Sequence, residues 1–422
     1  MRVCVVGSGG REHALVRAFE RHGHHVAITP GRPGCIPGSF NAPPEQFDAD
    51  LFVVGPEAPL VDGLADRLRA QDKLVFGPGA DGAQLEGSKI WMKNLLQSAK
   101  VPTAPFVIVH ADSEGSQIDA EAFIARHRGC VAVKTDGLAG GKGVGVWNSI
   151  KLANRDVIDK LSGEAFGEAG KRLVVEQRLY GREFSVFAIC DGQNAVCIGS
   201  AQDYKILRHD QQEFMTGGVG SYAPVDWVTD ELQARVMTEC IEPTLRALQA
   251  RGIDYRGFLY WGGMLTDDGA IMTLEYNIRL GDPEAQVVLP RIDGDLAVML
   301  SRAASGHLDV PVRFNDSAAV CVVLCADGYP NNPVTGQGIV GIADAEELLM
   351  VQVLQAGTRK SPDGFIEVAA GRCLNVVGQC EWGTHYDTPQ KVLEVARVRA
   401  YDAAGKISWP GMITPDYIAA DS

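Results

Sequence analysis

The densest chemistry in the sequence lies in Val133-Lys134-Thr135-Asp136-Gly137-Leu138-Ala139-Gly140-Gly141-Lys142-Gly143-Val144. Its four glycines free backbone N–H groups to approach a phosphate chain, and Lys134 and Lys142 supply positive charge. A nucleotide lid is the natural reading. It is not a Walker A loop: Gly137 to Gly141-Lys142 is one residue short, no Ser or Thr follows Lys142, and the next residues read as a strand rather than a helix. The flanking apolar runs predict a glycine-tipped β-hairpin, whose plain alternative is an ordinary mobile hairpin.

A second group is Leu274-Glu275-Tyr276-Asn277-Ile278-Arg279. Alternation at period two puts Glu275, Asn277 and Arg279 on one face, with roughly 6.6 Å between successive members. A carboxylate and an amide oxygen so spaced suit Mg²⁺ among phosphates, and an arginine there suits a carboxylate in a bidentate pair. Gly281-Asp282-Pro283-Glu284 follows at once and carries Asp282 on a turn beside that face, where it could pair with an ammonium group or merely cap the turn.

Two weaker segments complete the set. Val174-Val175-Glu176-Gln177-Arg178-Leu179 with Gly181-Arg182-Glu183 reads as a strand ending in a linker, which can offer backbone groups to an adenine edge and an acid to a ribose diol. Ala201-Gln202-Asp203-Tyr204-Lys205 followed by Thr216-Gly217-Gly218 reads as a polar run leading to a loop that lets backbone approach a ligand.

The elements that must position these residues follow from hydrophobic period. Val3 to Val6, Val26 to Ile28, Leu51 to Val54 and Leu74 to Phe76 read as buried parallel strands, with helices over Arg11 to His22 and Leu60 to Ala70. Strand, glycine turn and helix in that order suggest an anion site at Gly7, Gly9, Gly10 and Arg11. Pro30 to Asp48 reads as a long surface loop, and Ser88 to Ala99 as a helix with Ser88 near its N-cap. Leu232 to Arg251 reads as one long helix. Phe258 to Leu265 and Ile271 to Ile278 read as strands. Beyond Gly306 the pattern is mostly β, with a helix near Pro389 to Tyr401.

A chain of 422 residues can bury several cores. The fold class expected is multidomain α/β and α+β: an N-terminal Rossmann-like unit over 1–80, a central unit over 86–306 with a lid subdomain at about 104–176, and a mostly β unit over 307–422. A net charge of −14 argues against a nucleic-acid binder. The opening apolar run is too short for a signal-peptide core, and no stretch reaches membrane-spanning length. The ten cysteines read as reduced core residues, which points to the cytoplasm.

Taken in register, these segments resemble the ATP-grasp superfamily and, more closely, the phosphoribosylamine-glycine ligase family. The likeness rests on Gly7 to Ala14, Val54 to Leu60, Glu86 to Lys89, Gly137 to Val144, Ala201 to Asp203, Thr216 to Gly218, Leu274 to Arg279 and Gly281 to Gln286. Gly328-Tyr329-Pro330, Ala356-Gly357-Thr358 and Gly371-Arg372 carry it toward the C-terminus. The resemblance implies an ATP-dependent ligase joining glycine to 5-phosphoribosylamine through glycyl phosphate, with ATP and Mg²⁺ or Mn²⁺ as cofactors. It implies no nucleic-acid or membrane partner, and a monomer or weak homo-oligomer.

By the same resemblance, Lys89, Lys134, Gly140, Gly141 and Lys142 serve the ATP phosphates, and Glu176, Leu179 and Glu183 surround adenosine. Glu275 and Asn277 hold the metal. Arg279, Gly281 and Asp282 hold glycine, with Lys142 and Arg279 catalytic. Gly9, Gly10 and Arg11 face the phosphoribosyl group, and Asp203, Thr216, Gly217 and Gly218 belong to the substrate loop.

The sequence departs from the family pattern in five places. Pro30 to Asp50 is shorter than usual, and Tyr276 replaces a Phe on the core face. Ile206 stands where a basic residue often follows the lysine, Glu213 and Phe214 replace a Gly-Pro pair, and the C-terminus lacks a Tyr-Arg. The altered loop leaves open a ligase for another acid and amine. A non-enzymatic nucleotide binder would lack the metal ligands, and a nicotinamide dehydrogenase would need an acid closing a second strand.

Overall fold

The computed structural model describes residues 1–32, 34–138, 143–207, 215–309, 311–383 and 388–420. The N-terminal strands Arg2–Val6, His25–Thr29, Leu51–Val54 and Val75–Phe76 form a parallel sheet. The first strand lies between the second and third, and the fourth sits at the edge. Arg2–Val6 and Leu51–Val54 are near-continuous apolar runs because both faces of a parallel sheet are covered. The helix expected over Leu60 to Ala70 is two, Glu57–Val61 and Leu64–Arg69. Gly63 between them takes a left-handed φ of 76°, which ends the first helix and starts the second. The described residues of Pro30 to Asp48 are mostly loop, with a 3-10 turn at Pro44–Gln46.

A four-stranded antiparallel sheet follows, in the order Phe106–His110, Arg172–Gln177, Cys130–Thr135, Val144–Asn148. Helices Glu114–Arg126 and Ile150–Leu161 close it over a core containing Val109, Phe123, Val131, Val133, Val157 and Val175. Lys134 stands opposite Val144, so the expected hairpin is present in its flanking strands. Gly140, Gly141 and Lys142 at its tip lie outside the described residues.

The largest element is an eight-stranded antiparallel sheet. Its order is Ile271–Asn277, Arg256–Thr266, Gly181–Asp191, Ala195–Ile206, Met215–Ala223, Ser317–Cys325, Arg372–Glu381, Val351–Gln355. The sheet therefore runs without a break from the Glu275 strand into the last hundred residues. Phe184 lies edge-on to Trp227 and Trp261 at ring separations of 5.2 and 5.1 Å, and the Trp261 N–H donates to Thr273 at 2.8 Å, which satisfies the indole in this core.

The long helix expected over Leu232 to Arg251 is interrupted. Asp230–Val236 and Glu242–Gln249 are α-helical, and Met237–Ile241 between them is a π turn. Pro243 has no N–H to donate to the ladder, and the wider turn accommodates the missing bond. The C-terminal helix Pro389–Ala404 begins where Thr388 caps the Lys391 N–H, and it buries Val392, Leu393, Ala396 and Ala400.

All ten cysteines are free. Cys35, Cys130 and Cys197 are only partly buried, which corrects the expectation that every cysteine is a core residue. Among the described residues no helix is long and apolar enough to cross a membrane.

Candidate active site

The site is built around Glu275 and Asn277 on the strand Ile271–Asn277. The Glu275 carboxylate accepts no hydrogen bond among the described residues. Burial pushes its acidity down, but Lys205, Lys134 and Lys89 outweigh that and hold it below the ordinary glutamate range. An ionised carboxylate facing three lysines suits a metal bound between phosphates. Asn277 Oδ1 accepts from Arg279 Nη2 at 3.1 Å and keeps a second lone pair. No cluster of three or more His, Cys, Asp or Glu able to hold a metal stands among the described residues. Two oxygen ligands completed by phosphates and water are what Mg²⁺ takes in such sites, so the donor set fits.

Lys89 opens the helix Lys89–Ala99, whose N-cap is Ser88: its Oγ accepts the Trp91 N–H at 3.1 Å. Asp136, at the root of the glycine-rich hairpin, accepts from Ser88 Oγ at 2.8 Å and from the Ile90 N–H at 3.1 Å. A carboxylate at a helix N-terminus satisfies both the orphan donors and the dipole, and it ties the hairpin to Lys89. Lys89 Nζ then reaches the Gly137 carbonyl at 3.4 Å.

Glu176 is buried, and its two oxygens are taken by Lys134 and Lys93. Lys93 also donates to Thr103 Oγ1 at 2.6 Å, and Lys134 to the Leu274 carbonyl at 3.2 Å. Burial pushes the Glu176 carboxyl up, but the two ammonium groups prevail and hold it below the ordinary glutamate range. Glu176 thus fastens the small sheet to the Lys89 helix through charge. Leu179 is partly buried beyond the end of the same strand, and Glu183 is half-exposed with Lys205 Nζ 3.8 Å away.

Arg279 falls just after the strand, yet it meets Asn277 as the spacing predicts. Its guanidinium is already well occupied: Nε donates to Glu57 at 3.2 Å, Nη1 to the Leu280 carbonyl at 3.1 Å, and Nη2 to Glu86 at 2.7 Å as well as to Asn277. A substrate carboxylate would share this arginine with two glutamates.

The turn after it, with a cis Asp282–Pro283 bond, is held from four sides. Gln286 Nε2 donates to Asp282 at 2.6 Å, and Ser221 Oγ to the Pro283 carbonyl at 2.7 Å. Arg372 Nη2 lies 3.5 Å from the Asp282 carboxylate, and Arg372 Nη1 donates to the Gly217 carbonyl at 2.9 Å. Gly218 has a left-handed φ of 107°, and a β-carbon there would come within 2.6 Å of the Pro283 ring, so the loop and the turn need glycine to meet. Burial pushes the Asp282 carboxyl up, but Arg372 and Arg11 hold it below the usual range. Thr216 donates to the Lys205 carbonyl at 2.8 Å, and Asp203 pairs with Lys205 at 3.3 Å. The structure thus gathers Asp203, Thr216, Gly217, Gly218, Gly281 and Asp282 in one place.

The N-terminal glycines are arranged differently from a free anion cradle. The Gly9 N–H donates to the carboxylate of Glu12 at 2.6 Å, and Arg11 donates to the carbonyls of Gly55 at 3.1 Å and Gly281 at 3.4 Å. The protein's own acid therefore caps this helix. Gly10 packs against the Asn375 and Gln286 side chains.

Sequence reasoning gave no role to Lys93, Lys205, Glu284 or Arg372. Lys93 was detectable, because it follows Lys89 by four residues and so shares its helix face. Lys205 follows Asp203 by two on one strand face. Arg372 was marked only by the Gly371-Arg372 likeness, without a role, because the continuous sheet brings it to the site from far away in sequence.

The chain matches the models of three phosphoribosylglycinamide synthetase domains: the N domain over residues 1–86, the ATP-grasp (A) domain over 87–285 and the C domain over 319–420. It is 39% identical to a phosphoribosylamine–glycine ligase of Brucella melitensis, covering 97% of this chain and 95% of that one. A ligase of the same name from Caulobacter vibrioides is 40% identical over 97% and 96%. The crystal structure of a phosphoribosylamine–glycine ligase from Thermotoga maritima superposes with a TM-score of 0.84 at 30% identity, covering 98% of this chain and 99% of that one. A biotin carboxylase domain from Hydrogenobacter thermophilus shares the fold at a TM-score of 0.71 and 16% identity.

Proposed function

We propose an assignment of roles that starts from one premise: the chain belongs to the phosphoribosylglycinamide synthetase family. It is an ATP-dependent C–N ligase that joins glycine to 5-phosphoribosylamine, giving glycinamide ribonucleotide for purine synthesis. We place its three functional units at 1–80, 86–306 and 307–422, its work in the cytoplasm, and its active form as a monomer or weak homo-oligomer.

A carboxylate does not react with an amine at neutral pH because its leaving group would be oxide. In our reading a glycine carboxylate oxygen attacks the γ-phosphorus of ATP, ADP leaves, and glycyl phosphate forms. The amine nitrogen of phosphoribosylamine then attacks the carbonyl carbon, and phosphate departs with the C–O electron pair. Phosphoryl transfer demands alignment and charge stabilisation more than covalent help from the protein. Lys89, Lys134 and Lys142, with Gly140 and Gly141, hold the phosphates. Leu179 and Glu183 contact adenosine, and Glu176 acts on it indirectly by fixing Lys134. Asp282 pairs with the glycine ammonium group, and Gly281 lets it approach. The remaining donor of Arg279 meets the glycine carboxylate. Gly9, Gly10 and Arg11 border the phosphoribosyl group, and Asp203 with Thr216 to Gly218 forms the adjoining wall.

Glu275 and Asn277 would hold Mg²⁺ or Mn²⁺, which when bound neutralises charge between phosphates. The observation that carries this assignment is Glu275 itself, a carboxylate without a hydrogen bond among the described residues, facing Lys89, Lys134 and Lys205. Glycine labelled with ¹⁸O in its carboxylate tests the intermediate: each turnover should deliver one ¹⁸O to inorganic phosphate, and unlabelled phosphate would rule out glycyl phosphate.

A further inference from the structure

Glu284 ends the Gly281 turn and is only 4% exposed. It accepts the Tyr260 hydroxyl at 2.8 Å, and that oxygen in turn accepts from Ser185 Oγ at 2.8 Å. A β-carbon at Gly281 would strike the Glu284 carboxylate, so the acid lies directly beneath the backbone that presents Asp282. The titratable and charged groups facing it are Asp203 and Lys205 from Ala195–Ile206, Tyr260 from Arg256–Thr266, Arg279, Arg372 and Cys321.

These neighbours divide the acids of the site into two kinds. Asp203 is paired with Lys205 at 3.3 Å, and Asp282 lies 3.5 Å from Arg372, which helps hold it ionised. Glu284 forms no ion pair among the described residues, and burial with the charge of Asp203 pushes its carboxyl up to about 7. Acids whose environments separate them in this way divide acid–base labour.

Amide formation releases a proton. When the amine nitrogen bonds to the glycyl carbon, the C–O bond to phosphate breaks and the nitrogen must shed a proton to become an amide. We propose that Glu284 accepts that proton, with Tyr260 and Ser185 holding its carboxylate in place. The proton passes from nitrogen to the Glu284 oxygen and on to solvent, the phosphate leaves with the electron pair, and nothing is oxidised or reduced. This inference rests on the glycyl phosphate reading above.

The test compares native protein, Glu284→Gln and Tyr260→Phe, with phosphoribosylamine generated in situ. Amide formation is followed from pH 5.5 to 9, and glycyl phosphate formation is followed separately as glycine hydroxamate with hydroxylamine replacing the amine. Glu284→Gln should lose amide formation by about 100-fold, far more than hydroxamate formation, together with the acid limb of the rate profile. Tyr260→Phe removes a bond that favours the ionised acid, so the limb should move up by roughly half a unit. Hydroxamate formation with an unmoved limb in both variants overturns the proposal alone. No hydroxamate from the native protein overturns the acyl phosphate and this proposal with it. If Glu284→Gln does not fold, the Tyr260→Phe limb decides.

Discussion

The guanidinium of Arg279 donates to one oxygen of Glu86 at 2.7 Å, while the other oxygen accepts the Ile278 N–H at 2.9 Å. One carboxylate thus fixes the Arg279 side chain and the end of the strand that carries Glu275 and Asn277, from 193 residues away in sequence. Glu86→Ala would leave a partly buried arginine short of a partner and a backbone donor unmet. We expect a loss of about 3 kcal/mol in chemical denaturation, and a loss below about 1 kcal/mol would show that Glu57 alone suffices.

Glu176 between Lys93 and Lys134 predicts an acid sensitivity. Its folded pKa lies below the ordinary value of 4.5, so its stabilisation is complete above that pH and is lost as pH falls through the lower folded value. Thermal melts from pH 7 to 3 should show a decline below about 4.5. Glu176→Gln, which has no such titration, should decline less steeply. Parallel curves would assign the acid sensitivity to other groups.

Lys142→Ala should lower turnover by about 100-fold or more while leaving the melting temperature close to native, because its proposed role is to stabilise transferring charge rather than to pack. Native turnover in the variant would remove the glycine-rich hairpin from the mechanism.

Glu275→Gln should raise the Mg²⁺ concentration needed for half-maximal ADP formation by about tenfold or more, since a neutral amide replaces an anionic oxygen ligand. Chelator should abolish native turnover and added Mg²⁺ should restore it. An unshifted metal titration in Glu275→Gln would move the metal elsewhere.

What the sequence reveals follows from range. Glu275, Asn277 and Arg279 are legible because a two-residue period fixes their face, and the hairpin around Gly137 is legible because glycine has one dominant use in such a spacing. The partners that tune these residues are not. Glu57 and Glu86 reach Arg279, Arg372 reaches Asp282, and Asp203 acts on Glu284 only after sheets and loops are assembled. The π turn before Pro243 and the break at Gly63 were marked by residue type, but the apolar period ran through both and concealed them. Glu12 shows the opposite failure. The glycine turn looked like a vacancy for phosphate, and a residue three positions on fills the Gly9 donor itself. Tyr276, which replaces a Phe on the core face, buries its ring there and its hydroxyl accepts from Thr244 at 3.0 Å.

The unbroken eight-stranded sheet also determines how this chain can be divided. Ser317–Cys325 zips onto Met215–Ala223 at four successive registered positions, from Ala223 opposite Ala319 to Gly220 opposite Val322. Severing the chain near residue 307 would strip that cover and leave two raw edges, one glycine-rich and one almost wholly apolar, each a template for association with another chain. The last hundred residues are accordingly not a detachable module to be shuffled or expressed separately. They are the other half of a single woven panel, so a gene encoding this protein must keep both halves in one reading frame or supply them together at the moment of folding.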